Sequence, residues 1–449
     1  MNMSRCDWAG SSKRARRRCR FAHPLLLVGA GFAALASLAV PAGAAVPPSS
    51  GAAPGAVYVA SNSFTGNTIQ TFLRAADGSL TPSGSPVATG GLGSGPGTVV
   101  GDDPLGSQNS LVADQDRQQL FAVNAASNDV SVFALARSGP TLVDRQPSGG
   151  GFPVSLAYAN KTLFVLNGVG NSVTGFKVDS SGHLSTTQTC GLPALPAGDG
   201  VLPGNTVSSP QPVPTQIPGQ VGFSPDGKKL VVVSKEGPLL DNGNFPFGAD
   251  LGPGHIYVYD VDAKTDTLAN CAPKTTTLPN NAVGRPKFPF SFAWDAQSHL
   301  VVVEVFGTST SFAGSALSSY TLGHDGSLTP ISTSVGNGQP ASCWIVRSGK
   351  FFFVANYFGD NVSSYSVTSK GELTVSPTPA ASFGPGFTQA TIDMAVTPNG
   401  RFAYQLTAGS ALIRPFAVSS TGTLTELTPI SDGKAPHSGQ MGIATIDFQ

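Results

Sequence analysis

The chain has 449 residues, with 54 glycines, 36 prolines and only 12% charged residues. This composition, with many short apolar runs and no long helical period, predicts an all-β globular protein. Without residues 1–44 the chain keeps 19 basic and 25 acidic residues. A net negative chain argues against a nucleic-acid partner, because phosphate binding needs a basic patch.

The N-terminus has the pattern of an export signal. Residues 1–23 are basic, residues 24–40 are apolar, and Ala42-Gly43-Ala44 fits a signal-peptidase site. We therefore expect residues 1–44 to be a signal peptide, residues 45–55 a flexible lead, and the mature protein to be secreted or periplasmic. An uncleaved membrane anchor is the alternative, although the apolar run is slightly short for a bilayer.

A unit of four short strands repeats along residues 56–449. Its clearest copy lies at 339–373, where apolar runs of period two are separated by polar turns. Seven third strands share an aromatic residue (Phe72, Phe133, Phe176, Tyr259, Tyr320, Tyr365 and Phe416). Seven following turns lead to a leucine (Leu80, Leu142, Leu184, Leu268, Leu328, Leu373 and Leu424). A four-stranded repeat of roughly 40–50 residues predicts a seven-bladed β-propeller.

The first blade begins at its second strand, so its innermost strand must come from elsewhere. Residues 441–448 follow the seventh repeat and alternate well between apolar and polar residues. We expect this C-terminal strand to complete blade 1, which would remove two open sheet edges.

The insertions are unevenly placed. The connections between strands one and two are short, whereas 88–109, 191–219, 235–254, 273–289 and 306–314 are long. In an up-and-down meander these long connections emerge on one face, which we call the loop-rich face. Loops on a rigid scaffold commonly carry binding sites and catalytic residues. Insertions that were merely tolerated in surface loops would give the same pattern of loop lengths.

Polar residues next to these connections are the candidate site. Glu304 and His437 are candidate general bases, and Arg285 and Lys287 could polarise a carbonyl group. The candidate substrate-binding residues are Gln220, Lys235, Glu236, Asn356, Tyr357 and Gln389. A solvated rim of ion pairs is the alternative. The histidines show no metal-ligand spacing, and we expect neither a metal nor another cofactor.

Three cysteines follow the export signal. Cys190 and Cys271 lie near the outer ends of consecutive blades and could form a disulfide in an exported protein. Cys343 lies on an apolar inner strand and is expected to be a buried, inert thiol.

Several motifs resemble the lactonase-type seven-bladed propeller family. They run from Val57 to Asn62 (VYVASN), from Gly222 to Lys228 (GFSPDGK) and from Asp325 to Thr329 (DGSLT). The stretch from Phe288 to Trp294 (FPFSFAW) is more similar to a secreted bacterial branch of that family.

The resemblance implies an enzyme that hydrolyses or isomerises a lactone. A non-catalytic propeller that binds a protein or glycan remains the alternative, because the fold serves both uses. In either case we expect a monomer without stable membrane insertion after processing.

Overall fold

The computed structural model describes residues 53–96, 102–193, 201–202, 213–214, 218–235, 254–262, 264–280, 287–308, 311–384 and 388–449. The predicted signal peptide and two site candidates, Arg285 and Glu236, lie outside the described residues. Among the described residues, no helix has the length and apolar character needed to cross a bilayer.

The strands follow the predicted repeat. Blades 1 and 2 use β1 (Gly55–Ala60), β2 (Thr68–Arg74), β3 (Leu80–Ala88), β4 (Leu111–Asp114), β5 (Gln119–Asn124), β6 (Asp129–Ala136) and β7 (Gly139–Pro147). Blade 3 uses β8 (Gly151–Ala159), β9 (Thr162–Val169), β10 (Ser172–Val178) and β11 (Leu184–Gly191), and a separate two-stranded ribbon, β12 (Val201–Leu202) with β13 (Val213–Pro214), follows it.

The remaining blades continue in chain order. Blade 4 uses β14 (Pro218–Phe223), β15 (Lys229–Ser234), β16 (His255–Asp262), β17 (Thr267–Leu268) and β18 (Lys274–Thr277). Blade 5 uses β19 (Phe288–Trp294), β20 (Leu300–Thr308), β21 (Ser311–Leu322) and β22 (Leu328–Gly336). Blade 6 uses β23 (Ser342–Ser348), β24 (Phe351–Asn356), β25 (Asn361–Val367), β26 (Leu373–Val375) and β27 (Ala381–Ser382), with one 3₁₀ turn at Tyr357–Gly359. Blade 7 uses β28 (Thr391–Val396), β29 (Phe402–Thr407), β30 (Leu412–Val418), β31 (Leu424–Glu426) and β32 (Ile430–Ser431), and β33 (Ile443–Asp447) ends the chain.

Seven antiparallel blades are thus confirmed. In blades 4, 6 and 7 the outermost strand is split into two short strands that both pair with the third strand. The C-terminal strand β33 pairs with β1, from Val59 opposite Ile443 to Gly55 opposite Asp447. An ion pair between Arg74 and Asp447 adds a side-chain contact to this closure.

The repeated aromatic residues are core residues, since all seven are at most 5% exposed. They pack between blades, which explains why each third strand needs one. The seven repeated leucines are not all buried. Leu142 is 39% exposed, and the buried Pro140 lies two residues earlier, opposite Leu135 of β6. The turn before β7 is shorter than in the other blades, so the residue after it takes the core position.

A disulfide joins Cys190 of β11 to Cys271, with the two Cα atoms 5.2 Å apart. It links blade 3 to the outer part of blade 4. Cys343 is free and buried, as its place on an inner strand predicted.

Candidate functional site

The loop-rich end of the central channel is closed by residues 102–108, part of the insertion between blades 1 and 2. The Gln108 side chain donates to the Ile345 carbonyl and accepts from the Ile345 amide, both at 2.8 Å. The Gln108 amide also donates to Gly219, and the Ser107 hydroxyl donates to Val154. These partners lie on the inner strands of three different blades. An amide side chain suits this place because it supplies a donor and an acceptor to an unpaired strand edge.

Asp102 forms a pair with His437 on the loop-rich face. The His437 Nδ1 atom lies 2.8 Å from Asp102 Oδ2 and 3.0 Å from Oδ1. The histidine side chain is 62% exposed and the aspartate side chain only 3%. Burial raises the pKa of Asp102, and the hydrogen bond and charge of His437 oppose this rise. The His437 imidazole is thus open to solvent, and the Asp102 carboxylate is held behind it.

The backbone of His437 supports this arrangement. Its φ angle is +59°, in the left-handed region that non-glycine residues rarely adopt. The His437 amide donates to the Ala408 carbonyl at 2.9 Å, which ties the segment to blade 7. A strained backbone held by its surroundings is a feature often found at functional sites.

Asp103 and Lys235 form a second charged pair, directly beside Asp102 in the chain. Burial raises the pKa of Asp103 to about 6 and lowers the pKa of Lys235 to about 8, and the charge of each opposes the shift of the other. The Lys235 ammonium donates to the Gly106 carbonyl and lies 4.3 Å from the ring centroid of Phe290. Lys235 therefore adds positive potential beside Asp103.

Tyr357 and Cys343 belong to the same cluster. The Tyr357 hydroxyl accepts a long hydrogen bond of 3.4 Å from the Asp102 amide. Burial, and then the nearby aspartates, raise the pKa of Tyr357. Burial also raises the pKa of Cys343 well above its usual value. Both groups stay protonated at neutral pH, and Cys343 is not a nucleophile here.

Glu304 of β20 and Lys287, the residue before β19, form an ion pair within blade 5. The Lys287 Nζ atom lies 3.0 Å from Glu304 Oε2. The Ser334 hydroxyl donates to the same Glu304 oxygen at 2.7 Å. The side chains of Glu304 and Lys287 are 0% and 3% exposed. Neither charge faces solvent in this structure, and the catalytic role of the pair stays a prediction.

The other predicted binding residues are dispersed. Asn356 is buried, and its Nδ2 donates to Asn361 and Ser363 at 2.6 and 2.8 Å, so it holds the turn between β24 and β25. Gln220 Oε1 accepts from the Phe292 amide at 2.7 Å inside the channel. Gln389 Oε1 accepts from Arg414 at 3.0 Å. Among the site candidates that the structure describes, Lys235, Tyr357 and His437 join the cluster around residues 102–108.

Asp102 and Asp103 are the functional candidates that the sequence did not single out. Asp102 lies 335 residues before His437, and both aspartates lie in an insertion without strand periodicity. The available signal was two adjacent carboxylates in a glycine-rich insertion just before an inner strand. No group of three or more potential metal ligands occurs in the part of the chain that the structure describes.

The fold defines a seven-bladed propeller closed by its C-terminal strand. Residues 292–440 match the family model described as lactonase, 7-bladed beta-propeller, which confirms the resemblance over about a third of the chain. No curated protein matches the chain at a significant level.

Solved structures share the fold over most of the chain. A putative 6-phosphogluconolactonase from Bacteroides fragilis is 18% identical with a TM-score of 0.59, covering 87% of this chain and 97% of its own. One from Bacteroides uniformis is 16% identical with a TM-score of 0.58, covering 87% and 99%. The periplasmic gluconolactonase of Pseudomonas aeruginosa is 18% identical with a TM-score of 0.58, covering 88% and 99%. At these identities the likeness shows the fold alone.

Proposed function

We propose that the protein hydrolyses a lactone on its loop-rich face, with His437 as the general base and Asp102 as the residue that positions it. The observation that carries this proposal is the His437–Asp102 pair, an exposed imidazole fixed at 2.8 Å by a buried carboxylate. The lactonase family match and the names of the structural neighbours support the same reaction class.

The geometry assigns the proton to one histidine nitrogen. An ionised Asp102 can only accept a hydrogen bond, so Nδ1 of a neutral His437 donates and Nε2 is left as the base. Nε2 takes a proton from water while the water oxygen attacks the lactone carbonyl carbon. The ring C–O bond then breaks, and the imidazolium returns the proton to the leaving oxygen. The product is a hydroxy acid, whose carboxyl group releases a proton at neutral pH.

Arg285 and Lys287 were both predicted to polarise the carbonyl group. We keep this role for Arg285 but not for Lys287. Lys287 already binds Glu304 and Ser334 and is buried, so its positive charge is neutralised inside blade 5. Arg285 lies outside the described residues and keeps its proposed role. Lys235 joins it as a source of positive potential beside Asp103.

Acid release in a pH-stat tests the proposal directly. The panel should include gluconolactone and its 6-phosphate, because the neighbours' names contain both, together with simple five- and six-membered lactones. We expect turnover of at least one lactone, reduced about 10²-fold or more by His437→Asn. His183→Asn is the matched control, since His183 also pairs with an aspartate but lies on the opposite, short-turn face. Binding of a protein or glycan without any turnover would support the non-catalytic alternative instead.

Export remains part of the proposal. The basic and apolar pattern of residues 1–44 supports delivery of the mature chain outside the cytoplasm.

A further inference from the structure

The turn at residues 103–106 is anchored at both backbone groups of Gly106. The Gly106 amide donates to Asp103 Oδ1 at 2.8 Å, and the Gly106 carbonyl accepts from the Lys235 ammonium. The φ angle of Gly106 is +58°, a conformation that favours glycine. Asp103 and Lys235 are only 9% and 4% exposed. The turn is therefore held by two side chains that solvent hardly reaches.

An aromatic row on the inner strands of blades 5 and 6 supports these anchors. The Lys235 ammonium lies over the ring of Phe290. Phe290 packs edge-on against Trp344, with ring centroids 5.0 Å apart. The Trp344 Nε1–H donates to the Ser107 carbonyl at 2.9 Å. The row thus keeps the ammonium at the Gly106 carbonyl and binds the same segment again at the next residue.

Asp102 depends on this turn for its place. The turn begins at the residue that follows Asp102, so the position of the turn sets the position of Asp102. The contact of the Asp102 amide with the Tyr357 hydroxyl is long, at 3.4 Å, and contributes little by itself. Hydrogen bonds that involve an ionised group, such as those at Gly106, are stronger than neutral ones. The charged anchors therefore dominate the placement of Asp102.

We infer that Lys235 is a positioning residue for the proposed lactone hydrolysis. Its ammonium, together with Asp103, holds the turn at 103–106 and thereby holds Asp102 against His437. We assign Lys235 no contact with the substrate, because its side chain is buried beneath the segment that carries Asp102. The effect on the reaction rests on the proposed function, whereas the contact of Asp102 with His437 can be measured without a substrate.

The tautomer of His437 reports this contact. Beside an ionised Asp102, neutral His437 carries its proton on Nδ1, whereas a neutral imidazole in water favours Nε2–H. Nitrogen NMR spectra of the isotope-labelled protein near neutral pH distinguish the two forms, and His437→Asn assigns the signal. We expect Nδ1–H in the wild type and mainly Nε2–H in Lys235→Met, which removes the ammonium but keeps a long side chain. An unchanged tautomer in Lys235→Met would overturn the proposal.

Lys229→Met is the matched control for this measurement. Lys229 is also a buried lysine of β15, and its ammonium donates to the His324 carbonyl and pairs with Asp260. It lies at the opposite end of the strand, on the short-turn face. Lys229→Met should therefore keep the wild-type tautomer of His437. A change as large as that in Lys235→Met would indicate a general loss of packing and would overturn the proposal.

A double variant keeps the test decisive if Lys235→Met does not fold. Lys235→Met with Asp103→Asn leaves neither charge buried alone and keeps an acceptor for the Gly106 amide, and it should shift the tautomer in the same direction. An unchanged tautomer in the double variant would overturn the proposal as well.

Kinetics on a lactone substrate then separate positioning from binding. Loss of the Lys235 ammonium should lower kcat about 10- to 100-fold, because Asp102 no longer orients the base. KM should change less than about twofold, because Lys235 does not touch the substrate. A raised KM with an unchanged kcat would make Lys235 a binding residue and overturn the proposal. If the tautomer shifts but the wild type hydrolyses no lactone, the anchoring of Asp102 by Lys235 stands and the proposed function is wrong.

Discussion

Replacing Asp393 with asparagine isolates the cost of burying one carboxylate beside the central channel. Asp393 lies on the inner strand β28, is 3% exposed, and accepts a hydrogen bond from the Met394 amide at 2.9 Å. It belongs to no ion pair among the described residues. Burial raises its pKa to about 8. Asparagine keeps the size and the acceptor oxygen but has no proton to lose.

The sign of the pH effect follows from this raised pKa. Below about pH 4 the carboxyl is protonated in both the folded and the unfolded chain, so it adds no pH dependence. Between its unfolded pKa of 3.8 and its folded pKa of about 8, only the unfolded chain releases the proton. The free energy of unfolding therefore falls by about 1.4 kcal/mol for each pH unit in this window. The accumulated loss is roughly 5 kcal/mol by pH 8.

Urea unfolding followed by the fluorescence of the buried Trp344 measures this effect. We expect wild type and Asp393→Asn to have similar stability near pH 4, and the variant to be several kcal/mol more stable near pH 8. In the difference between the unfolding free energies of the two proteins, the contributions of the other titrating groups cancel. Asp325→Asn is the control, because hydrogen bonds from Ser327 lower the pKa of that exposed aspartate and reverse the sign. Parallel stability–pH curves for wild type and Asp393→Asn would refute the reasoning.

Three further predictions concern closure, the buried ion pair and export. Deleting residues 440–449 removes β33 and the Asp447 partner of Arg74, so the cooperative melting transition should be lost. An unchanged melting transition would contradict closure of blade 1 by this strand. Glu304→Gln leaves the Lys287 ammonium buried without its anionic partner, so urea unfolding should show a loss of about 3–5 kcal/mol. A variant as stable as the wild type would show that the ammonium finds another partner or water. N-terminal sequencing of the exported protein should begin near Ala45, and an intact N-terminus would indicate an anchor instead.

Most of the fold could be predicted because its determinants are local. Each strand is visible as a short run of period two, and each third strand has an aromatic residue that proved to be buried. Closure by β33 could be predicted by counting strands, because the first repeat contains three strands and a single strand follows the seventh repeat. The leucine that marks blade 2, Leu142, is exposed because a shorter turn moves the core position to Pro140.

The candidate site was less predictable because its contacts are distant in sequence. The pair of Glu304 and Lys287 was foreseeable, since both lie in blade 5 at the same end of neighbouring strands. Their burial was not, because it depends on Ser334 and Tyr320 closing over the carboxylate. The contact of Asp102 with His437 depends on how residues 102–108 enter the channel, and strand periodicity contains no information about such an insertion.

A double-mutant cycle on His437 and Asp102 tests the proposed lactone hydrolysis most directly. The specificity constant kcat/KM should be measured for wild type, Asp102→Asn, His437→Asn and the double variant on the best lactone of the panel. If Asp102 acts only by positioning His437, each single variant should lose activity and the double variant should be no slower than His437→Asn. Full activity of His437→Asn, or losses that simply add in the double variant, would contradict the His437–Asp102 pair as the catalytic unit.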